Sequence, residues 1–242
     1  MSQPHLTKFE YPIRLNRFLA LQGLATRRGA DKLILDGQVT LNGRRAALGD
    51  KVTSSQDKVQ IQKGVTQKDY QYVLYYKPRR IISHSPQHGE RSIEMVSGYK
   101  GCFPVGRLDK DSEGLILLTD DGRVTERLLH PRFEHEKEYL VSVKEEIKDP
   151  RKLNVLTEGI IDEGEKLTAK KVTLISTKTI DIVLTEGKKH EVRRMLLSLG
   201  YTVTQLTRIR IMGLHLGKLK PGEARELHGP ARKNFLASIG LK

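Results

Sequence analysis

Cys102 is the only cysteine in 242 residues, so no internal disulfide is open to the chain. A lone thiol also rules out a thiolate-held zinc cluster. No apolar run reaches the ~18 residues that a membrane helix needs. The opening residues, MSQPHLTKFE, lack the apolar centre of a secretory signal. A reducing, cytoplasmic setting is therefore expected. Nucleotide signatures are missing as well. There is no GxxxxGK[ST] loop and no GxGxxG after a strand. There is no GxSxG elbow either. His84 and His88 are four apart but Pro86 interrupts them, and His130 and His135 fit no ligand spacing, so no metal is expected.

What the chain does have is positive charge, unevenly placed. The net charge is +14. Residues 1–65 carry 11 Lys and Arg against 5 Asp and Glu; residues 66–185 carry 20 against 20; residues 186–242 carry 12 against 4. The surplus sits at the two ends and the middle is balanced. A concentrated surplus favours a polyanion, most simply a nucleic acid.

The N-terminal third reads as a small module. Leu15, Phe18 and Leu19 fall at helical spacing within Arg14–Leu24, and Gly23 ends the run. Thr26 is placed to cap a second helix through Leu35. Arg27 and Arg28 sit in its first turn, where cations oppose the helix dipole. A bound phosphate at that turn would explain them. Lys32 shares the face of Arg28. Val39–Leu41 reads as a strand, Asn42–Gly43 as a hairpin turn, and Arg44 and Arg45 follow it. Lys58–Gln62 is a last short strand. With Tyr11 the only nearby aromatic, phosphate and shape reading of RNA is expected here, rather than base reading. KGVTQKD, residues 63–69, reads as a linker at a domain border near residue 66.

Residues 66–242 read as a second, larger domain. Strands are expected at 70–76, 115–118, 138–143, 170–175, 179–184, 202–206, 209–214 and 224–227. Helices are expected at 123–129, 149–158 and 191–199, the last with Val192, Met195, Leu196 and Leu199 as its apolar stripe. The few, irregularly placed helices favour α+β with a mixed, mainly antiparallel sheet over alternating βαβ units.

GRLDKDSEGLILLT, residues 106–119, is the densest stretch. Arg107, Asp109, Lys110, Asp111 and Glu113 crowd against a buried strand, where a scaffold can present a loop side chain to a ligand. Read locally, Asp109 is a candidate centre with Arg107 close by, but a solvated turn with incidental ion pairs is the commoner reading of such a segment.

The stretch resembles the catalytic signature of the ribosomal RNA pseudouridine synthases, the family that places small-subunit and large-subunit enzymes under one domain plan. Lys77–Pro78, EKEYLV at 136–141, KKHEVRRM at 188–195, and then Leu206, Arg208 and the 222–227 end resemble its other motifs, in the family's order. The first module resembles the S4-type RNA-binding domain. The resemblance implies two domains, 1–65 for RNA binding and 66–242 for catalysis. It implies an isomerase that turns one uridine of ribosomal RNA into pseudouridine without a cofactor. Asp109 would act beside the sugar, Tyr139 would stack on the uracil, and Arg193 would pair with Asp109. Arg107 would contact RNA as the uridine flips, and Arg194 would hold a phosphate. Arg14, Arg17, Arg27, Arg28, Lys32, Arg44 and Arg45 complete the expected RNA contacts. Glu191 departs from the pattern, since that position is often uncharged. A monomer is expected, bound to ribosomal RNA, and Thr207–Leu216 leans to the large-subunit side. A non-catalytic RNA-binding or ribosome-assembly protein on the same fold is the alternative.

Overall fold

The computed structural model describes residues 10–62 and 69–241. The expected linker and the border near residue 66 fall mostly outside them. Strand β1 (Ile13–Arg14) leads into helix α1 (Leu15–Leu21), which starts one residue later than its pattern suggests because Arg14 is extended. Helix α2 (Arg27–Leu35) is capped by Thr26, whose hydroxyl accepts from Gly29 N–H at 3.0 Å. Strands β2 (Val39–Leu41), β3 (Arg44–Arg45), β4 (Lys51–Val52) and β5 (Val59–Ile61) follow. They form a three-stranded sheet β3-β2-β5 and a separate β1–β4 pair. Leu15, Leu19, Ala30, Ile34, Val39 and Val52 close a small core of their own.

The rest is built on one nine-stranded sheet. Its elements run β6 (Tyr72–Lys77), α3 (Ile93–Val96), β7 (Phe103–Val105), β8 (Glu113–Thr119), α4 (Gly122–Leu129) and β9 (Lys137–Val143). Then come α5 (Val155–Glu158), β10 (Ile160–Asp162), β11 (Glu165–Leu167), β12 (Lys171–Ser176), β13 (Thr179–Leu184) and α6 (Glu191–Ser198). The chain closes with β14 (Val203–Ile211), β15 (Leu214–His215), β16 (Ala224–Glu226) and α7 (Gly229–Ser238). The order across the sheet is β12-β13-β9-β14-β8-β6-β16, with β15 added on β14 and β7 on β8. All of these pairings are antiparallel except β14–β8, where Thr207 faces Glu113 and Arg208 faces Gly114.

The centre of the sheet is covered on both sides, which is why β8 is buried at every position and shows no alternation. Leu115 and Leu117 join Leu74, Val124 and Phe235 on the face under α4 and α7, while Ile116 and Leu118 join Val73, Tyr75 and Ile93 on the other. Further out, β9 and β13 bury one face only. Tyr139, Val141, Ile180 and Ile182 pack beneath Val192, Met195 and Leu196 of α6.

Several elements differ from the sequence reading. The two segments expected at 202–206 and 209–214 are one strand, β14, with register irregularities opposite β9. Residues 149–158 split into a 3-10 turn (Pro150–Asn154) and a single α turn. The β10–β11 hairpin and α7 were not anticipated. Glu113, grouped with the loop charges, is the first residue of β8 and buried. Gly114 has φ +106°, and a Cβ there would lie 2.3 Å from the Arg208 carbonyl oxygen. The parallel seam closes only on a glycine.

Candidate active site

Residues 106–112 join β7 to β8, and their backbone is held carbonyl by carbonyl. His84 Nε2 lies 3.2 Å from the Gly106 oxygen. Arg208 Nη1 donates to the Arg107 carbonyl at 3.4 Å. Ser83 Oγ donates to the Leu108 carbonyl at 2.8 Å and accepts from Leu108 N–H at 3.0 Å. Ser112 N–H donates to the Asp109 carbonyl at 3.0 Å, and Arg80 N–H to that of Lys110 at 2.7 Å. Arg193 Nη2 donates to the Asp111 carbonyl at 3.2 Å. Solvated turns do not carry such a set of long-range partners. The arrangement fixes where the Asp109 side chain can go.

That side chain is half-buried, with Oδ1 3.7 Å from His190 Nε2. His190 takes a left-handed conformation, φ 53°, immediately before α6. Two buried cations lie beneath the loop. Lys77 is completely buried, its ammonium donating to the carbonyls of Pro78 at 2.9 Å and Ile81 at 2.6 Å. Burial pushes the Lys77 ammonium down to about 8, against the pull of Asp109, Glu113 and Asp111. Arg208 is buried too; its Nε donates to the Leu115 carbonyl at 2.7 Å, while Nη2 has no partner among the described residues. A cavity of about 490 Å³ opens beside them, lined among others by Gly106, Arg107, Lys137, Tyr139, Lys188 and Arg208. Tyr139 is the cross-strand neighbour of Arg208 and packs in the same apolar cluster as Leu108.

The expected residues come together in part. Arg107 and Tyr139 line the same cavity, while Asp109 sits further along the loop that Arg193 grips at Asp111. Arg193, however, does not pair with the Asp109 carboxylate: its guanidinium grips the carbonyls of Asp111 and Val203. Among the described residues the ion-pair partner of that carboxylate is His190, and Arg107 presents its carbonyl inward while its side chain is exposed. Arg194 is engaged elsewhere, by Asp162 at 2.5 Å and Glu165 at 2.7 Å, so it ties α6 to the β10–β11 hairpin. Glu191 turns inward, away from solvent. One carboxylate oxygen accepts from Lys188 N–H at 2.9 Å, the other has no partner among the described residues, and burial raises its pKa. Its charge therefore does not confront an RNA groove.

In the N-terminal module Arg14, Arg17 and Arg27 line a second cavity of about 960 Å³, together with Lys51, His130 and Arg132. Arg17 is paired across it with Glu126 of α4 at 2.7 Å. Arg44 forks onto Asp50 at 2.9 Å, Arg45 donates to the Leu35 carbonyl at 3.1 Å, and Lys32 is exposed. The Arg28 side chain lies outside what the structure describes. Sequence reasoning missed Ser83, His84 and Arg80, which sit in a polar stretch with no periodicity. It quoted Lys77, His190 and Arg208 as parts of motifs but gave them no task. Among the described residues no cluster of His, Cys, Asp and Glu could hold a metal, and no helix is long and apolar enough to cross a membrane.

The family model for RNA pseudouridylate synthases matches residues 71–198, and that for the S4 domain matches residues 13–59. The chain belongs to the RNA pseudouridylate synthase family. An uncharacterized RNA pseudouridine synthase of Aquifex aeolicus is 35% identical over 240 residues, covering 95% of this chain and 96% of its own. The ribosomal large subunit pseudouridine synthase B of Bacillus subtilis is 36% identical, with 94% and 98% covered. The dual-specificity RNA pseudouridine synthase RluF of Salmonella typhi is 37% identical, with 88% and 75% covered. A pseudouridylate synthase crystal structure superposes with a TM-score of 0.67 at 28% identity, covering 94% of this chain and 99% of that one. This synthase is thus an RNA-binding enzyme with an S4 domain ahead of its catalytic sheet.

Proposed function

We propose that this enzyme converts one uridine of ribosomal RNA to pseudouridine, with Asp109 as the carboxylate at the reacting sugar. The bond from uracil nitrogen 1 to ribose carbon 1′ breaks, and the base turns within the site. Its carbon 5 then bonds to carbon 1′, and the proton on carbon 5 is transferred to nitrogen 1. Nothing is oxidised and no group is gained, so the chemistry calls for no cofactor. Asp109 either meets the positive charge that develops at carbon 1′, attacks that carbon, or takes a proton from carbon 2′; carboxylates serve related ends in glycoside hydrolysis. Tyr139 lies against the uracil, where its phenol can assist proton transfer. Arg193 acts through the backbone, anchoring the loop that carries Asp109, and Arg107 contacts the RNA strand as the uridine leaves the stack. Arg14, Arg27, Arg28, Lys32, Arg44 and Arg45 make the outer phosphate contacts, Arg17 is held back from them by Glu126, and Arg194 holds the hairpin.

The observation that carries this reading is the loop itself: six successive carbonyls held by donors as distant in sequence as Ser83, Arg193 and Arg208. We take residues 1–65 as the RNA-binding unit and 66–242 as the catalytic one, acting as a monomer in the cytoplasm. Large-subunit RNA is favoured by the name of the Bacillus subtilis relative. Asp109→Asn is expected to abolish conversion while RNA binding persists; binding lost in step with conversion would count against the assignment. Mapping pseudouridines in ribosomal RNA from cells lacking this protein is expected to show a single missing site.

A further inference from the structure

A third cavity adjoins the Asp109 loop at its far end. It measures about 550 Å³ and is lined by Pro78, Arg79, Arg80, Glu90, Arg91 and Lys110 among others. The start of the loop, Gly106 and Arg107, lines the cavity that holds Tyr139; its continuation, Lys110, lines this one. Four cations face one carboxylate here. Glu90 is committed to Lys110 at 2.8 Å and to Gln87 N–H at 3.1 Å. Among the described residues no ion pair engages Arg79, Arg80 or Arg91, and all three are exposed. That contrasts with Arg17, Arg44, Arg194 and Arg210, each of which is tied to a carboxylate.

The backbone reinforces the contrast. Arg80 sits at φ 64°, in the left-handed region that disfavours every residue but glycine and, to a lesser degree, Asn and Asp. Its N–H is spent on the Lys110 carbonyl, one residue beyond Asp109. Strain of this kind concentrates at functional sites. Here it sets an arginine beside the loop that carries the reactive carboxylate. Exposed guanidiniums without acceptors, converging on one concavity, match the bidentate geometry of phosphate oxygens.

We propose that this cavity is a phosphodiester-binding site for the RNA strand on one side of the flipped uridine, with Arg79, Arg80 and Arg91 as its contacts. It holds the strand next to the reacting nucleotide, while the N-terminal module holds RNA further away. The inference rests on the RNA reading above and goes beyond it by naming where the adjacent backbone runs.

Counterion release gives a direct test, since each lost phosphate contact lowers the slope of log K against log salt by about 0.7 for a single strand. The probe is a fluorescein-labelled U20 oligoribonucleotide, with affinity measured from low to moderate salt. Arg79→Ala/Arg91→Ala leaves the Arg80–Lys110 clamp in place and is expected to lower the slope by about 1.4. Lys148→Ala/Lys152→Ala removes the same charge from exposed positions elsewhere and is expected to leave the slope unaltered. A slope unchanged in the arginine pair, or lowered equally by the lysine pair, overturns the site. The Asp109 assignment is read from conversion by Asp109→Asn and stands or falls apart from these slopes.

Discussion

Ser83 uses one oxygen twice, donating to the Leu108 carbonyl and accepting from its N–H. It stands in for a strand partner at the residue before Asp109. Removing the hydroxyl leaves both backbone groups buried and unsatisfied, at a cost of about 1–3 kcal/mol. The more specific consequence is positional, since small displacements of a reacting group cost up to about a hundredfold in rate. Ser83→Ala is therefore expected to lower kcat by about ten- to a hundredfold, with RNA affinity unchanged and Ser83→Thr restoring part of the loss. Single-turnover conversion at saturating RNA checks it. An equal loss of affinity would make Ser83 a general stabiliser instead. Little in the sequence marks Ser83 or Arg80, because their role depends on a loop some 25 residues away. Asp109 drew attention because charges crowd beside an apolar run, and its proposed role came from the family resemblance rather than from that crowding. The His190 contact was not legible, since 81 residues separate the two and no spacing rule spans that distance.

At the scale of elements, the sequence showed those whose signals are local. Helix α2 has its cap and stripe, α6 has Val192, Met195 and Leu196 in phase, and the Leu115–Leu118 run stands out. What it hid is what pairing decides. Glu113 enters β8 because Gln205 and Thr207 of the neighbouring strand hydrogen-bond its carboxylate, at 2.7 and 3.4 Å. Helix α7 buries only Phe235 and Leu236 of its own residues, too short a stripe to announce itself. One pairing also yields a pH dependence. Asp181 of β13 and Glu138 of β9 lie close across the sheet; burial first, then the hydrogen bond to Glu138, raise Asp181 to about 6. The folded protein thus binds a proton more tightly than the unfolded chain, whose Asp titrates near 3.9. This contribution is unfavourable above about pH 6 and is relieved as pH falls from there toward 4. Asp181→Asn is expected to remove that relief, so its urea midpoint should vary less than the wild type's between pH 7 and pH 5. An identical pH profile for both proteins would refute the assignment.

On the scale of the whole molecule, two units that each carry a net positive charge meet along α1 and α4. Arg17 pairs with Glu126, and the Tyr70 hydroxyl donates to the Gly23 carbonyl at 3.1 Å. Both partners of the ion pair are partly exposed, so it adds little stability. Its effect lies in withholding Arg17 from phosphate. Glu126→Gln is expected to tighten RNA binding and to steepen the salt slope by about 0.7. Unchanged affinity would mean that Arg17 stays clear of RNA.

The one parallel seam of the sheet joins Glu113–Gly114 to Thr207–Arg208. As the chain emerges from the ribosome, β8 is therefore made long before the strand that completes its hydrogen bonds. Two of the donors gripping the Asp109 loop, Arg193 and Arg208, arrive late as well. A nascent chain stalled before residue 193 could fold its S4 module and display it to RNA, yet would hold the Asp109 loop without the Arg193 and Arg208 contacts. Binding competence should therefore precede chemical competence during synthesis.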